Sequence, residues 1–223
     1  MGTLYVVSTP IGNLEDITLR AIKTLSSVEA VLCEDTRRTG LLLAHIKISK
    51  PLIRFDDASE LQKIPEIIHM LESGNNLALV SDAGTPLIND PGFLLVRECR
   101  RRNIPVVSIP GASALLTALT SSGLPANTFT YLGYPPEKQG HRIKLFENLL
   151  KINRLIYSTY IFYCAPHKLE QTLADMKVVF GDIEITIARE LTKVHEEIWQ
   201  GALSQWKITE VKGELVILFQ LLP

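Results

Sequence analysis

The chain has 223 residues, 46% of them hydrophobic, and its 23 basic and 24 acidic side chains give a net charge of −1. Its apolar runs fall short of the roughly 18–20 residues that a membrane span requires, and its N-terminus lacks the basic start of a secretory signal. Nucleic-acid-binding proteins usually carry a basic excess, so any RNA contact is expected to come from local patches. Composition therefore predicts a cytoplasmic protein without membrane contact, folded as one large domain or two modest ones.

The first half alternates short β-branched runs with segments of helical period. Strands are predicted at 3–8, 28–34, 52–54, 77–81 and 106–109. Helices are predicted after a cap at Asp16, from Ser59 to Gly74, and after Asp90-Pro91, where an aspartate cap precedes proline at the first helical position. This alternation predicts βαβ units and a mainly parallel sheet, with ligands bound beyond the carboxyl ends of its strands.

Glycine and proline cluster at 122–140, which predicts a linker between two domains, 1–123 and 124–223. Beyond it we predict helices at 140–151, from Pro166 and at 202–206, and strands at 157–163, 184–189, 195–200 and 214–221. Adjacent strands and a nearly continuous apolar last strand indicate a mixed sheet in this half. The predicted fold class is therefore α/β, built from two α/β domains.

Three loops directly follow predicted strands of the first half, at 9–14, 81–86 and 110–114. Each has glycine or proline where a strand gives way to a helix, so backbone N–H groups can point at a ligand without interference from a Cβ atom. A single loop of this kind is more often structural, because tight turns use glycine anyway. Three at one edge of a sheet favour a shared ligand site.

Several common site signatures are absent from the sequence. It contains neither a phosphate-binding P-loop motif nor a G-x-G-x-x-G after the first strand, so P-loop and Rossmann dinucleotide folds are not indicated. Cys33, Cys99 and Cys164 show neither C-x-x-C spacing nor a paired framework. The five histidines lack metal-ligand spacing, so no metal site is predicted.

The more specific motifs are spread over nearly the whole chain. They are the opening run 4–14 with Leu19-Arg20-Ala21, Glu34-Asp35-Thr36-Arg37, the loop 81–86 with Asp90-Pro91-Gly92, the loop 110–114, Tyr163 with Ala165-Pro166-His167, the run 188–193, and Lys212-Gly213-Glu214. Together they resemble the ribosomal RNA small subunit methyltransferase I family, which has the class III, tetrapyrrole-methylase-like fold.

This resemblance implies an activity and its partners. It implies S-adenosylmethionine as cofactor, bound in a cleft between two α/β domains, with S-adenosylhomocysteine as product. It also implies a homodimer that methylates a cytidine ribose 2′-hydroxyl in the decoding region of 16S rRNA, within the small ribosomal subunit. The cofactor-binding positions implied are Pro10, Ile11, Asp82, Ala83, Gly84, Thr85, Gly111, Ser113, Ala114, Cys164, Ala188 and Gly213.

Catalysis would require a base or cation near the ribose hydroxyl, which is a poor nucleophile. Our candidates are Asp35, Arg37, Arg189, Glu190 and Lys193, because both of their motifs directly follow strands. An alternative for Asp35 and Arg37 is an ion pair that pins two loops together, and the two interpretations are equally supported.

RNA contact is predicted for His141, Arg142 and Lys144, with Lys138 beside them. Arg97 and the run 100–102 fit better a solvated helix end whose cations suit the helix dipole. The Arg37-Arg38 pair is a further basic group.

The chain departs from the family pattern at two places. A His-Asn-Glu stretch keeps only its glutamate, Glu60, and a Tyr-Glu-Ser-Pro-His-Arg stretch has Cys164 for the acid and Lys168 for the arginine. These departures leave open a cofactor-binding ribosome-assembly protein without catalytic activity. A methyltransferase of corrin precursors would share the fold and the cofactor and is a second alternative, although the first loop and the run 188–193 argue against it.

Overall fold

The structure is a computed structural model that describes residues 1–207, 211 and 213–221. It divides into two compact units, Met1–Ser113 and Ala114–Pro223. The predicted boundary after residue 123 lies further along the chain, because the intervening helix, Ala114–Ser121, packs on the last strand of the second unit. Among the described residues, no helix has the length and apolar character needed to cross a membrane.

The first unit is built on a five-stranded parallel sheet. Its strands are β1 (Leu4–Val7), β2 (Ala30–Cys33), β3 (Leu52–Arg54), β4 (Leu77–Leu79) and β5 (Val106–Ile109), in the order β3-β2-β4-β1-β5. Its helices are α1 (Leu19–Ser27), α2 (Thr36–His45), α3 (Glu60–Glu72) and α4 (Phe93–Arg101). Strands β2 and β4 are buried throughout, as expected when apolar clusters cover both faces of a sheet. The predicted parallel sheet is confirmed.

The second unit contains a mixed sheet, also as predicted. Its strands are β6 (Phe129–Tyr131), β7 (Thr159–Cys164), β8 (Glu184–Arg189), β9 (Glu197–Ala202) and β10 (Leu215–Gln220), in the order β6-β7-β10-β8-β9. Strands β6 and β7 are parallel, and the other pairs are antiparallel. Helices α5 (Ala114–Ser121), α6 (Gln139–Asn153) and α7 (Leu169–Phe180) complete the unit. Strand β10 is central and almost wholly buried, which explains its continuous apolar sequence.

Two predicted helix starts are wrong. Asp16 lies in a short 3-10 turn, and the cap of α1 is Thr18, whose hydroxyl accepts a hydrogen bond from the backbone N–H of Ala21 at 3.0 Å. Asp90 and Pro91 precede the cap position of α4, which is Gly92 with a φ of 124°. Both errors have one cause: several residues in succession could cap the helix, and local sequence does not choose among them.

The N-terminus of α4 is capped from another helix. Glu60, which is 7% exposed at the start of α3, accepts hydrogen bonds on Oε1 from the backbone N–H groups of Gly92 (3.2 Å), Leu94 (3.1 Å) and Leu95 (3.3 Å). These are donors that a helix leaves unsatisfied at its first turn, where the helix dipole also favours a carboxylate. Glu60 is thus a structural anchor for the segment that follows the 81–86 loop.

Three elements were not predicted: α2, α5 and β6. The predicted linker at 122–140 contains β6, a three-residue strand that pairs with β7 at the edge of the sheet. A strand this short carries too little alternation to be recognised between turn-forming glycine and proline residues.

Candidate functional site

The three loops singled out by their glycine and proline content follow β1, β4 and β5, which are neighbours in the sheet. Their ends therefore meet at one edge. Thr9 and Gly84 form an isolated bridge in which each N–H donates to the other's carbonyl oxygen, at 2.8 and 3.0 Å. The bridge ties the loop after β1 to the loop after β4.

The loop after β5 joins the same edge through side chains. The hydroxyl of Thr85 donates to the carbonyl oxygen of Ala112 at 3.1 Å and lies 3.0 Å from the hydroxyl of Ser8. A Cβ atom on Gly111 would lie 3.0 Å from Cβ of Ser8, so glycine allows this close approach. The three loops form one rim, as predicted.

The rim offers both exposed backbone and side chains at the carboxyl edge of the sheet. Ala83 and Gly111 are exposed, whereas Pro10 and Gly84 are buried. Ile11, Asp82, Thr85 and Ser113, also of the predicted set, are half-buried. Gly84 has a φ of 86°, so its backbone conformation itself requires glycine, in addition to the limited space beside Ile11.

A junction of carboxylates ties the loop after β2 to the loop after β4. The backbone N–H of Asp35 donates to Oδ1 of Asp82 at 3.0 Å, and the backbone N–H of Asp82 donates to Oε1 of Glu34 at 3.3 Å. Arg38 lies 3.5 Å from the other oxygen of Asp82. The carboxylate of Asp82 therefore has a structural role, because it holds the loop after β2 against the loop after β4.

Asp35 and Arg37 form an ion pair within the first turn of α2. Nε of Arg37 donates to Oδ1 of Asp35 at 3.0 Å and Nη2 donates to Oδ2 at 2.6 Å. The side-chain bond from Arg37 holds the pKa of Asp35 well below its usual range. The pair is local, so it does not pin two loops together; Asp82 does that.

Burial raises the pKa of Glu34, and the nearby charges of Asp82, Asp57 and Asp56 add to the effect. A carboxyl group whose pKa is higher in the folded state than in the unfolded state does not lower the stability of the fold at a pH below both values, because it is protonated in both states. Stability is lost as pH rises from the unfolded pKa through the folded one.

We therefore expect Glu34→Gln to raise the melting temperature by a few degrees near neutral pH, and to leave it unchanged below about pH 4, near the unfolded pKa of glutamate. Differential scanning calorimetry across this range measures the effect. Glu15→Gln, at an exposed position, is the matched control and should show no difference at either pH. A wild-type protein more stable than Glu34→Gln at neutral pH would contradict the expectation.

In the second unit, the turn after β8 brings Glu190 and Lys193 together against Gly213, whereas Arg189 pairs with a residue of β9. Nζ of Lys193 donates to Oε1 of Glu190 at 2.9 Å, and Arg189 forms an ion pair with Glu197. Glu190 has a φ of 50°, an uncommon conformation for a residue other than glycine. A Cβ atom on Gly213 would meet Oε1 of Glu190 at 2.0 Å, so the carboxylate lies directly against this glycine.

Two predicted cofactor-binding side chains are enclosed within the second unit. Ala188 is fully buried between β9 and β10. Cys164 is 2% exposed, its Sγ lies 4.0 Å from the hydroxyl of Thr172, and burial raises its pKa to about 11. Ala114 is the first residue of α5 and is half-buried. Residue type alone did not indicate how deeply these side chains lie.

The predicted RNA contact of Arg142 is wrong. Its side chain is 3% exposed and forms an ion pair with Asp175, which is equally buried. Its Nε donates to Oδ2 of Asp175 at 2.7 Å, and its Nη1 donates to the carbonyl oxygens of Pro136 and Glu137 at 3.0 Å each. The guanidinium is fully used inside the protein, while Lys144 and the other basic residues of this group, Lys138 and His141, are exposed.

The basic end of α4 behaves as a solvated helix end, as predicted. Arg101 and Arg102 both donate to Glu98, and Arg102 also reaches Glu72. Arg97 lies over the ring of Phe93, 5.3 Å from its centre. Over the part of the chain that the structure describes, no group of three or more histidine, cysteine or acidic side chains is arranged to hold a metal ion.

Comparison with known families identifies the class of protein. A model of the tetrapyrrole (corrin/porphyrin) methylases matches residues 3–207, and the chain belongs to this family. Solved structures of low identity share its fold. Uroporphyrin-III-C-methyltransferase from Thermus thermophilus has 18% identity and a TM-score of 0.66, covering 98% of this chain and 94% of that one. A diphthine synthase has 14% identity and a TM-score of 0.75, covering 98% and 90%.

Curated relatives are more similar in sequence. The chain is 44% identical to ribosomal RNA small subunit methyltransferase I of Thermotoga maritima over 97% of both chains. It is 44% identical to the protein of that name from Haemophilus influenzae, over 98% of this chain and 78% of the relative. It is 47% identical to the one from Synechocystis, over 91% and 72%. The family resemblance predicted from the motifs is confirmed.

Proposed function

We propose that the chain transfers a methyl group to 16S rRNA of the small ribosomal subunit, at the ribose 2′-hydroxyl of a cytidine in the decoding region. The assembled subunit is the proposed substrate, and the enzyme acts in the cytoplasm as a homodimer. The observation that carries the proposal is 44% identity to a ribosomal RNA small subunit methyltransferase I along 97% of both chains.

The rim of the first unit is the proposed cofactor site. S-adenosylmethionine supplies an electrophilic methyl group when bound and leaves as S-adenosylhomocysteine. The residues present fit such a ligand, since Gly111 and Ala83 expose backbone at the rim and Ile11 gives it an apolar wall. Thr85 links the loop after β4 to the loop after β5, and Asp82 ties the loop after β4 to the loop after β2. The role of these residues is to orient the cofactor, because positioning is the largest demand of a displacement reaction.

The turn after β8 is the proposed site of acceptor activation. Glu190 accepts the proton of the ribose hydroxyl, and Lys193, bonded to it at 2.9 Å, stabilises the negative charge that develops on the oxygen. Gly213 leaves room for the carboxylate in this position. Asp35 is poorly suited to this task because its bond to Arg37 lowers its pKa and makes it a weak base. We assign Asp35 and Arg37 to the start of α2 instead.

Methyl transfer from labelled S-adenosylmethionine to three acceptors tests the proposal. We expect incorporation into small ribosomal subunits that lack the modification, little incorporation into naked 16S rRNA, and none into uroporphyrinogen. A chain of near-neutral charge attracts phosphates weakly in general, so it should depend on the shaped target of an assembled particle. Methylation of uroporphyrinogen would indicate corrin chemistry, and binding of cofactor and subunit without transfer would indicate an assembly protein.

A further inference from the structure

The second unit contains a pocket that none of the residues proposed for acceptor activation line, although Cys164, a predicted cofactor-binding residue, lies in its wall. It has a volume of about 140 Å³. One wall is the segment 134–137, between β6 and α6, and the other is the end of β7 with the turn that follows, 163–168. Thr172 and Arg142 close its base.

The wall at 134–137 is held in place from inside the protein. Arg142 donates to the carbonyl oxygens of Pro136 and Glu137 and is itself fixed by Asp175. Gln139 donates to the other oxygen of Asp175 at 2.8 Å. A buried, fully bonded ion pair of this kind fixes the position of the backbone, so the pocket is formed before any ligand arrives.

One side of the pocket is aromatic. The ring of Tyr163 meets two neighbouring rings edge-on, that of Tyr131 at 5.2 Å and that of Tyr134 at 5.7 Å between centres. Tyr134 is 37% exposed. Aromatic rings fixed at a surface in this way are the platform on which proteins stack unpaired bases of RNA.

The charged side chains at the pocket nearly balance, and Lys168 is the cation among them that a phosphate could contact. Lys168 and His167 line it, with Glu137 as the acidic side chain among the lining residues. Arg142 contributes little net charge because Asp175 neutralises it. A nucleotide bound here would bring a negative phosphate that Lys168 can contact.

Size also bears on the occupant. A volume of about 140 Å³ is well below the roughly 300–1,000 Å³ of pockets that enclose whole drug-sized ligands. The pocket suits a single planar ring rather than a complete cofactor.

We propose that this pocket holds one nucleotide of the substrate RNA, with its base stacked on Tyr134 and its phosphate contacting Lys168. The inference rests on the proposed function, since it takes RNA as the substrate. It replaces the wrongly predicted contact of Arg142: that residue supports the wall of the RNA-binding pocket without touching the RNA.

Equilibrium binding of the full chain to unmodified small subunits tests the pocket, with Tyr134→Ala, Tyr134→Phe and Lys168→Ala as variants. Removal of one base–aromatic stack should weaken binding roughly five- to hundredfold, and Tyr134→Phe should retain it. Lys168→Ala should flatten the slope of log K against log salt by about 0.7, the value for one phosphate contact on a single strand. Lys177→Ala, on the exposed side of α7, is the control and should bind as the wild type does.

Calorimetry with S-adenosylmethionine shows whether the planar base in the pocket comes from the RNA or from the adenine of the cofactor. All variants should bind the cofactor with unchanged affinity. If Tyr134→Ala loses cofactor affinity instead, the pocket receives the cofactor's adenine and the proposal is overturned.

If Tyr134→Ala binds the subunit as tightly as the wild type does, the proposed RNA-binding role of the pocket is also overturned. The proposed function still stands in that case, provided that the wild type methylates the subunit. If the wild type methylates no subunits, the proposed function fails by itself. The pocket is then tested by measuring how tightly the wild type and Tyr134→Ala bind single-stranded segments of 16S rRNA. If the two proteins bind these segments equally, or if neither binds them, the RNA-binding role of the pocket is rejected.

Discussion

Replacing Lys193 with methionine is expected to lower kcat for methyl transfer to small subunits by about 10²–10³-fold, the usual cost of removing one group that stabilises developing negative charge. Methionine keeps the length of the side chain but not its ammonium. Because Lys193 is exposed and its side chain bonds to the nearby Glu190, the folded state should be unaffected. Single-turnover kinetics with subunit and cofactor both saturating measure the effect.

Two further variants distinguish the proposed catalytic role of Lys193 from a merely structural one, and the following results are expected if the role is catalytic. Lys193→Arg should recover part of the rate, and Glu190→Gln should change the dependence of kcat on pH as well as its size. Lys207→Met removes an exposed lysine elsewhere in the second unit and serves as the control. A wild-type rate for Lys193→Met, or a loss confined to KM, would remove Lys193 from the chemistry.

Replacing Arg142 with alanine should destabilise the second unit by about 3–5 kcal/mol, because it leaves the Asp175 carboxylate buried without its partner. The neighbouring Lys144→Ala removes an exposed charge from the same helix and should change stability by no more than about 0.5 kcal/mol. Thermal and denaturant unfolding measure the difference between the two variants. Melting of both at the wild-type temperature would show that the buried pair contributes nothing.

A double replacement identifies the cause of the loss. Exchanging both partners for apolar residues of similar volume, Arg142→Met with Asp175→Leu, should recover much of the lost stability, since no charge is then stranded. Pocket-dependent subunit binding should remain weak in the double variant, because the carbonyl oxygens of Pro136 and Glu137 lose their donor.

The architecture could be predicted from sequence to the extent that it depends on local apolar patterns. The strands at 52–54 and 106–109 were predicted at their observed bounds because short β-branched runs lie between clear turn signals. The rim was predictable too, since loops after neighbouring parallel strands must meet at one edge.

What could not be predicted depends on partners distant in the chain. Arg142 lies in a basic stretch that suggests a phosphate contact, but its fate is decided by Asp175, 33 residues away. Glu60 caps a helix that starts beyond the next strand, where the cap position Gly92 lies 32 residues after Glu60, and no spacing rule connects the two. In the same way, the depth of Cys164 follows from its position in β7 beneath α7, which composition does not reveal.

The cap that Glu60 provides for α4 explains why the glutamate is the residue that this chain keeps from the His-Asn-Glu stretch. The residue that is kept is the one with three backbone bonds to another helix, and the neighbouring Asp57 and Ala58, whose side chains are exposed, form no such anchor. Substitutions at the exposed positions of this segment can therefore alter its surface chemistry while the bonds from α4 to Glu60 stay in place. Divergence at this edge changes what the protein presents to the outside, without changing the frame on which the rim is built.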